Sequence, residues 1–199
     1  LFGRNAVGGA ISVVTAAPSF DAPSASVQTS YADYDDLQAK AQLNIPLSDT
    51  FAIGVSGIYN AADNYREGSV GGHPLPREVS KGARLKLRWA PTEAFDLTLA
   101  GFRLQQTGVS TMFATNSDPS QTFAALIQPQ TGLDGDNDAP TYFDLENTVI
   151  YGQASVYTDW FDIKLIGSDQ SIKTDSLYDF DGSPTPIVFF EANESGDIQ

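Results

Sequence analysis

Apolar and polar residues alternate along successive stretches of this chain. From Asp36 to Ile45, every second residue, beginning with Leu37, is apolar, and the residues between them are polar. Successive side chains of a strand point to opposite faces, so this alternation predicts a strand with one apolar and one polar face. The pattern returns along the chain and predicts seven strands: 25–31, 36–45, 50–60, 81–89, 95–101, 147–157 and 161–168.

The connections between these strands alternate in length. Short turns are predicted near 46–49, 90–94 and 159–160, and long polar segments at 61–80, 105–144 and from 169 onward. Residues 32–35 are the exception, a short connection where a long one is expected. Short turns at one end and long loops at the other are typical of outer-membrane β-barrels, and no such rule governs soluble β-sandwiches.

Composition and charge narrow the function classes. The chain has no cysteine, which excludes disulfides and thiolate metal sites, and no apolar run of the roughly 18 residues that a spanning helix needs. The net charge of −14 argues against nucleic-acid binding, which needs Lys and Arg to neutralise phosphates. Of the 25 acidic residues, 18 fall in segments 32–36, 61–80, 105–144 and 169–199, so we predict that most of the charge lies in loops.

The first fifteen residues read Leu-Phe-Gly-Arg-Asn-Ala-Val-Gly-Gly-Ala-Ile-Ser-Val-Val-Thr. Taken alone, their glycines allow tight turns or close backbone approach, as in an ordinary Gly-rich loop before a strand. Followed by barrel-like strands, the stretch resembles, position by position, the closing segment of the plug domain of TonB-dependent outer-membrane receptors.

The resemblance implies an all-β fold: a partial transmembrane antiparallel β-barrel of about seven strands, preceded by the last segment of the plug. Residues 1–17 would end the plug domain, 18–24 would be a linker, and 25–199 would form the N-terminal part of the barrel with its external loops. Plugged barrels of this kind have about 22 strands, so the chain is expected to be an internal fragment.

The function implied by the resemblance is uptake of a scarce, bulky solute across the cell outer membrane, driven through TonB. The expected partners are the TonB energy-coupling complex, whose contact segment lies upstream in the family, outer-membrane lipid, and a small-molecule or metal-chelate ligand. An iron–siderophore complex is the first expectation, with cobalamin and oligosaccharides as alternatives. No cofactor, nucleic acid or enzymatic step is implied.

Two groups of residues are expected to join plug and barrel. The resemblance implies that Arg4 locks the plug against acidic residues of the barrel wall, within a plug–barrel lock made of Gly3, Arg4, Asn5, Gly8 and Gly9. A basic stripe of Arg84, Lys86 and Arg88, with Lys40, is predicted to face the barrel lumen. We expect this stripe to form salt bridges to the plug, and passage of an anionic solute is the alternative.

Aromatic residues collect near predicted strand ends, where Tyr and Trp suit a membrane–water interface. A soluble core that collects aromatics at strand ends is the alternative. The set comprises Tyr31, Tyr34, Phe51, Tyr59, Trp89, Phe95, Trp160 and Phe161.

The remaining candidates lie in predicted loops. Segment 105–144 is the candidate ligand loop, with Phe113, Phe123, Tyr142 and Phe143 as its aromatic contacts. Asp134, Asp136 and Asp138 resemble the start of a calcium loop, but EF-hand loops carry Gly at the sixth position and Glu at the twelfth, which are Ala139 and Leu145 here. The default for this segment is therefore a solvated acidic loop. His73, the only histidine, cannot build a zinc site of familiar composition without cysteines.

Two other classes of protein stay open at this point. A passive porin-like channel would share the barrel and lack the plug. A soluble secreted β-rich adhesin or carbohydrate-binding module would share the alternating strands and be recovered in the aqueous fraction.

Overall fold

The computed structural model describes residues 15–64, 69–70, 73–109, 141–179 and 189–198. Within these ranges the chain forms strands, turns and irregular segments, and no helix there is long and apolar enough to cross a membrane. The strands are β1 (Ser24–Ala32), β2 (Asp36–Ser48), β3 (Phe51–Ala62), β4 (Ser69–Val70), β5 (His73–Pro74), β6 (Glu78–Thr92), β7 (Phe95–Gly108), β8 (Tyr142–Tyr157), β9 (Asp162–Asp179) and β10 (Phe189–Ile198).

Eight of these strands form one antiparallel sheet whose spatial order follows the chain. The order is β1-β2-β3-β6-β7-β8-β9-β10, with β1 and β10 at the two edges, and β4 and β5 pair separately as a small hairpin. A simple up-and-down order is what short connections between antiparallel neighbours produce. The all-β class predicted from the alternation is therefore confirmed.

The segment after residue 168 differs from its prediction as a long polar loop. β9 continues to Asp179, and a further strand, β10, pairs with it from Phe189 to Ile198. The second half of β9 carries polar residues on both faces, such as Asp169, Gln170 and Ser171, so the alternation that predicts strands is absent there. The strands are also longer than predicted at their other loop ends, with β6 beginning at Glu78, β7 ending at Gly108 and β8 beginning at Tyr142.

The prediction that most acidic residues lie in loops is corrected by the same extension. Asp169, Asp175, Glu191 and Glu194 lie in β9 and β10 rather than in loops. Negative charge therefore lies on strands as well as on connections.

Three short turns lie at one end of the sheet. They join β2 to β3 through Asp49 and Thr50, β6 to β7 through Glu93 and Ala94, and β8 to β9 through residues 158–161. The predicted turn at 46–49 begins too early, because β2 continues through a register shift between Pro46 and Ser48. The opposite end carries the longer connections and the short β1–β2 turn.

Strand register sorts the side chains onto two unlike faces. The apolar face carries Val27, Leu43, Val55, Leu85, Leu99 and Leu165, all of them exposed. By contrast, the buried hydrophobic residues within the described ranges are three alanines, Ala52, Ala61 and Ala100. The large apolar side chains of this sheet therefore form an outer surface and do not pack into a core.

Candidate functional site

The basic residues predicted to form a stripe share one face of the sheet, here called the polar face. Arg84, Lys86 and Arg88 alternate along β6, and their partners on β3 are Ser56, Gly54 and Ala52. Lys40 lies on the same face, because it is paired with Ile58, which is paired in turn with Gly82. Residues 15–23, here called the entry segment, run across this face before β1 begins.

Lys86 is the most enclosed member of the stripe, with 6% of its surface exposed. Its Nζ donates hydrogen bonds to the main-chain carbonyls of Thr15 at 2.9 Å and Ala16 at 2.8 Å. Its partners on the neighbouring strands are Gly54 and Ala100, which are small enough to leave room for the entry segment. A buried ammonium group needs such acceptors, because an unpaired charge away from water is costly.

Arg88 holds the next part of the entry segment. Its guanidinium donates to one carboxylate oxygen of Asp96 through Nε at 2.9 Å and Nη2 at 2.7 Å. It also donates to the carbonyl of Pro18 at 3.2 Å and lies 4.5 Å above the ring of Phe20. Asp96 thus neutralises and orients an arginine whose remaining donors face the entry segment.

Asn44, on β2, is the third side chain that binds the entry segment. Its Oδ1 accepts the main-chain N–H of Ser19 at 2.9 Å, and its Nδ2 donates to the carbonyls of Ser19 at 3.0 Å and Ala22 at 3.1 Å. One amide side chain therefore satisfies both main-chain groups of Ser19, as a neighbouring strand would.

Packing supports the same arrangement. Pro18 is buried, and a Cβ atom placed on Gly54 would lie 3.2 Å from the Cγ of Pro18. A cavity of about 440 Å³ remains between the entry segment and the polar face, lined in part by Arg84, Gln42 and Ser26.

The stripe's bonds to the entry segment go to main-chain carbonyls and not to carboxylates. Among the described residues, its one ion pair is that of Arg88 with Asp96, two groups of the sheet itself. Arg84 lies with its guanidinium 5.0 Å above the ring of Phe102. Residues 15–17, the described part of the predicted plug, carry no carboxylate, so salt bridges between the stripe and the plug stay a prediction.

The end of the sheet with the long connections has its own polar contacts. Arg77 pairs with Asp63 at 3.1 Å and donates to the carbonyl of Asp35 at 2.8 Å. The N–H of Asp63 donates to the carbonyl of Tyr34 at 2.7 Å. These bonds join the β1–β2 turn to the connection between β3 and β6.

Tyr142 and Phe143, predicted as loop contacts, are instead the first residues of β8. The Tyr142 hydroxyl donates to the carboxylate of Asp175 at 3.4 and 3.5 Å. Tyr142 thus acts as a hydrogen-bond donor between β8 and β9.

Aromatic side chains lie near the short turns. Trp89 is paired with Phe51 across β6 and β3, and it meets Phe95 edge to face with ring centroids 5.8 Å apart. In the β8–β9 turn, Trp160 is 91% exposed, and Phe161 beside it is also exposed. These aromatic residues all lie at the end of the sheet that carries the short turns.

Several predicted site residues lie outside the described part of the chain. They are Gly3, Arg4, Asn5, Gly8 and Gly9 of the opening motif, Phe113 and Phe123 of the ligand loop, and Asp134, Asp136 and Asp138. For His73, only the backbone is described, in β5. In the part of the chain that the structure describes, no group of three or more His, Cys, Asp or Glu side chains is placed to hold a metal ion.

Asn44 is the contact that sequence reasoning missed. It looks like any other polar residue of the alternating strand β2, and its partners lie 22 and 25 positions away.

No protein-family model, curated protein or solved structure matches this chain.

Proposed function

We propose that this chain is part of a TonB-dependent outer-membrane receptor, comprising the end of the plug and the first strands of the barrel. Its function would be active uptake of a scarce, bulky solute, with an iron–siderophore complex as the first candidate. The observation that carries the proposal is the opening motif, Leu1 to Thr15, followed after the short entry segment by a sheet whose apolar face is exposed.

The inside-out distribution of side chains supports a lipid environment. Exposed apolar patches larger than a few hundred Å² are rare on monomeric soluble proteins, because they aggregate or bind partners. Here exposed apolar residues run across the sheet from Val27 on β1 to Leu165 on β9. A barrel wall needs this arrangement, with apolar side chains towards lipid and polar side chains towards the lumen.

The position of the entry segment supports the proposal that a plug precedes it in the barrel lumen. It follows the opening motif directly and lies on the polar face, bound there by Asn44, Lys86 and Arg88. In a closed barrel this face would line the lumen, which is where a plug lies.

Solute binding is assigned to the connection between β7 and β8. It runs from residue 109 to 141, and connections this long are uncommon unless they bind something or are disordered. Phe113 and Phe123 remain its candidate contacts. The receptor would perform no chemistry on the solute, so we do not propose an enzyme.

Uptake of labelled ferric siderophore by cells that make the full-length protein tests this function. We expect uptake that disappears when TonB is deleted and when the proton gradient is collapsed. Uptake that persists without TonB would contradict the proposal and favour a passive channel.

Conductance of the purified full-length protein in a planar bilayer separates the same two classes independently. A plugged receptor should be nearly closed, whereas a porin should be open. Recovery of the native protein in the aqueous fraction, and not with the outer membrane, would point to the soluble β-rich class.

A further inference from the structure

The contacts of the entry segment are concentrated on a few wall side chains. Six hydrogen bonds run from Asn44, Lys86 and Arg88 to main-chain atoms of residues 15–22. Because the bonds go to the main chain, they fix the path of the backbone whatever the local side chains do. The three wall side chains lie on the regular strands β2 and β6, which are stiffer than loops.

The wall is also shaped to receive the entry segment. Lys86 is flanked by Gly54 and Ala100, and a Cβ atom on Gly54 would come within 3.2 Å of Pro18. The ion pair of Arg88 with Asp96 keeps the arginine in place without the entry segment. The Arg88 side chain is therefore already ordered by Asp96. Little of its rotamer entropy is lost when it binds the entry segment.

We propose that Asn44, Lys86 and Arg88 form a fixed anchor, which holds residues 15–22 to the wall and so sets the path by which the chain reaches β1. The inference rests on the proposed function only in that the wall is taken to be part of a barrel. Lys86, which holds the first two residues of the entry segment, is the positioning residue at the start of the anchor.

A spin label at position 17 of the full-length receptor tests the anchor. Ala17 is exposed and makes none of the six hydrogen bonds, so Ala17→Cys provides the labelling site. This chain has no cysteine, and any cysteine elsewhere in the full-length receptor is first replaced by serine. Lys86→Met removes the ammonium group and both of its hydrogen bonds at similar side-chain length. Lys164→Met on β9, exposed and on the same face, is the matched control. We expect an immobile label in the parent and in Lys164→Met, and a severalfold shorter rotational correlation time in Lys86→Met.

A second label and a second variant separate local release from general loosening. A label at Gln28, on the polar face of β1 away from the anchor, should keep its mobility in Lys86→Met. Gly54→Val leaves all three anchoring side chains intact but fills the space under Pro18, so it should also mobilise the label at position 17. If Lys86→Met does not fold, the mobility of the label at position 17 in Gly54→Val tests the anchor.

The result that overturns the anchor is a label at position 17 that stays immobile in every variant that folds. Equal mobilisation at positions 17 and 28 would also overturn it, because that indicates general loosening of the wall. These measurements do not use uptake. Loss of TonB-dependent uptake in the parent protein would therefore reject the proposed function and leave the test of the anchor standing.

Discussion

At the residue scale, two ion pairs between described residues of the sheet differ in how much water screens them. Arg88 and Asp96 are 29% and 21% exposed, whereas Arg103 and Glu146 are 65% and 35% exposed. Asp96→Asn leaves a half-buried arginine without its counter-charge and should lower the free energy of unfolding by about 1.5–3 kcal/mol. Glu146→Gln, the same chemical change at the exposed pair, should cost under about 1 kcal/mol.

The free energy of unfolding of both variants is measured by denaturant unfolding of the full-length protein in detergent. Equal losses for Asp96→Asn and Glu146→Gln would mean that burial does not strengthen the Arg88 pair.

The β1–β2 turn allows a second prediction at this scale. Tyr34 and Asp35 have φ angles of 62° and 50°, in the left-handed region that β-branched residues avoid. Tyr34→Val should therefore be less stable than Tyr34→Gly by about 1–2 kcal/mol. The comparison uses the same unfolding assay, and Val27→Gly against the parent in the extended strand β1 is a control in which glycine should be the worse residue.

How far single residues could be predicted depended on periodicity. Alternation alone placed Arg84, Lys86 and Arg88 on one face, because every second side chain of a strand points to the same side of the sheet. It gave no sign of what Lys86 binds, since an acceptor on the main chain of Thr15 carries no side-chain signature. Asn44 was missed for the same reason.

At the element scale, the strands with one apolar and one polar face were predictable. β2, β3, β6 and β7 each carry the alternation for most of their length. The second half of β9 and all of β10 were not predicted, because pairing with a neighbouring strand, and not an apolar face, makes them strands. Their main-chain hydrogen bonds leave no mark on side-chain composition.

The β8–β9 hairpin places Trp160 where an interface aromatic would lie. The Thr158 hydroxyl closes this turn by donating to the carbonyl of Phe161 at 2.6 Å and accepting its N–H at 3.0 Å. Trp160, within the turn, is 91% exposed. We expect brominated lipid to quench a larger part of the fluorescence of the full-length protein than of its Trp160→Phe variant. Trp89→Phe serves as the parallel case on the apolar face.

Aqueous iodide is the complementary quencher for this hairpin. If iodide quenched Trp160 as fully as free tryptophan while brominated lipid had no effect, the turn would lie in water.

At the scale of the whole molecule, the opposite environments of the two faces give the most direct prediction. Leu165 and Ser168 are exposed residues of β9 on the apolar and polar faces respectively. If the apolar face meets lipid, Leu165→Arg in the full-length protein should cost about 2–4 kcal/mol, the range for arginine near the bilayer midplane, and Ser168→Arg should cost far less. The measurement is the fraction of each variant recovered folded in the outer membrane, read from its heat-dependent migration on a gel. A soluble protein would respond in the opposite sense, because arginine on an exposed apolar patch improves solubility. Undiminished recovery of Leu165→Arg, or its recovery in the aqueous fraction, would therefore reject the lipid-facing wall.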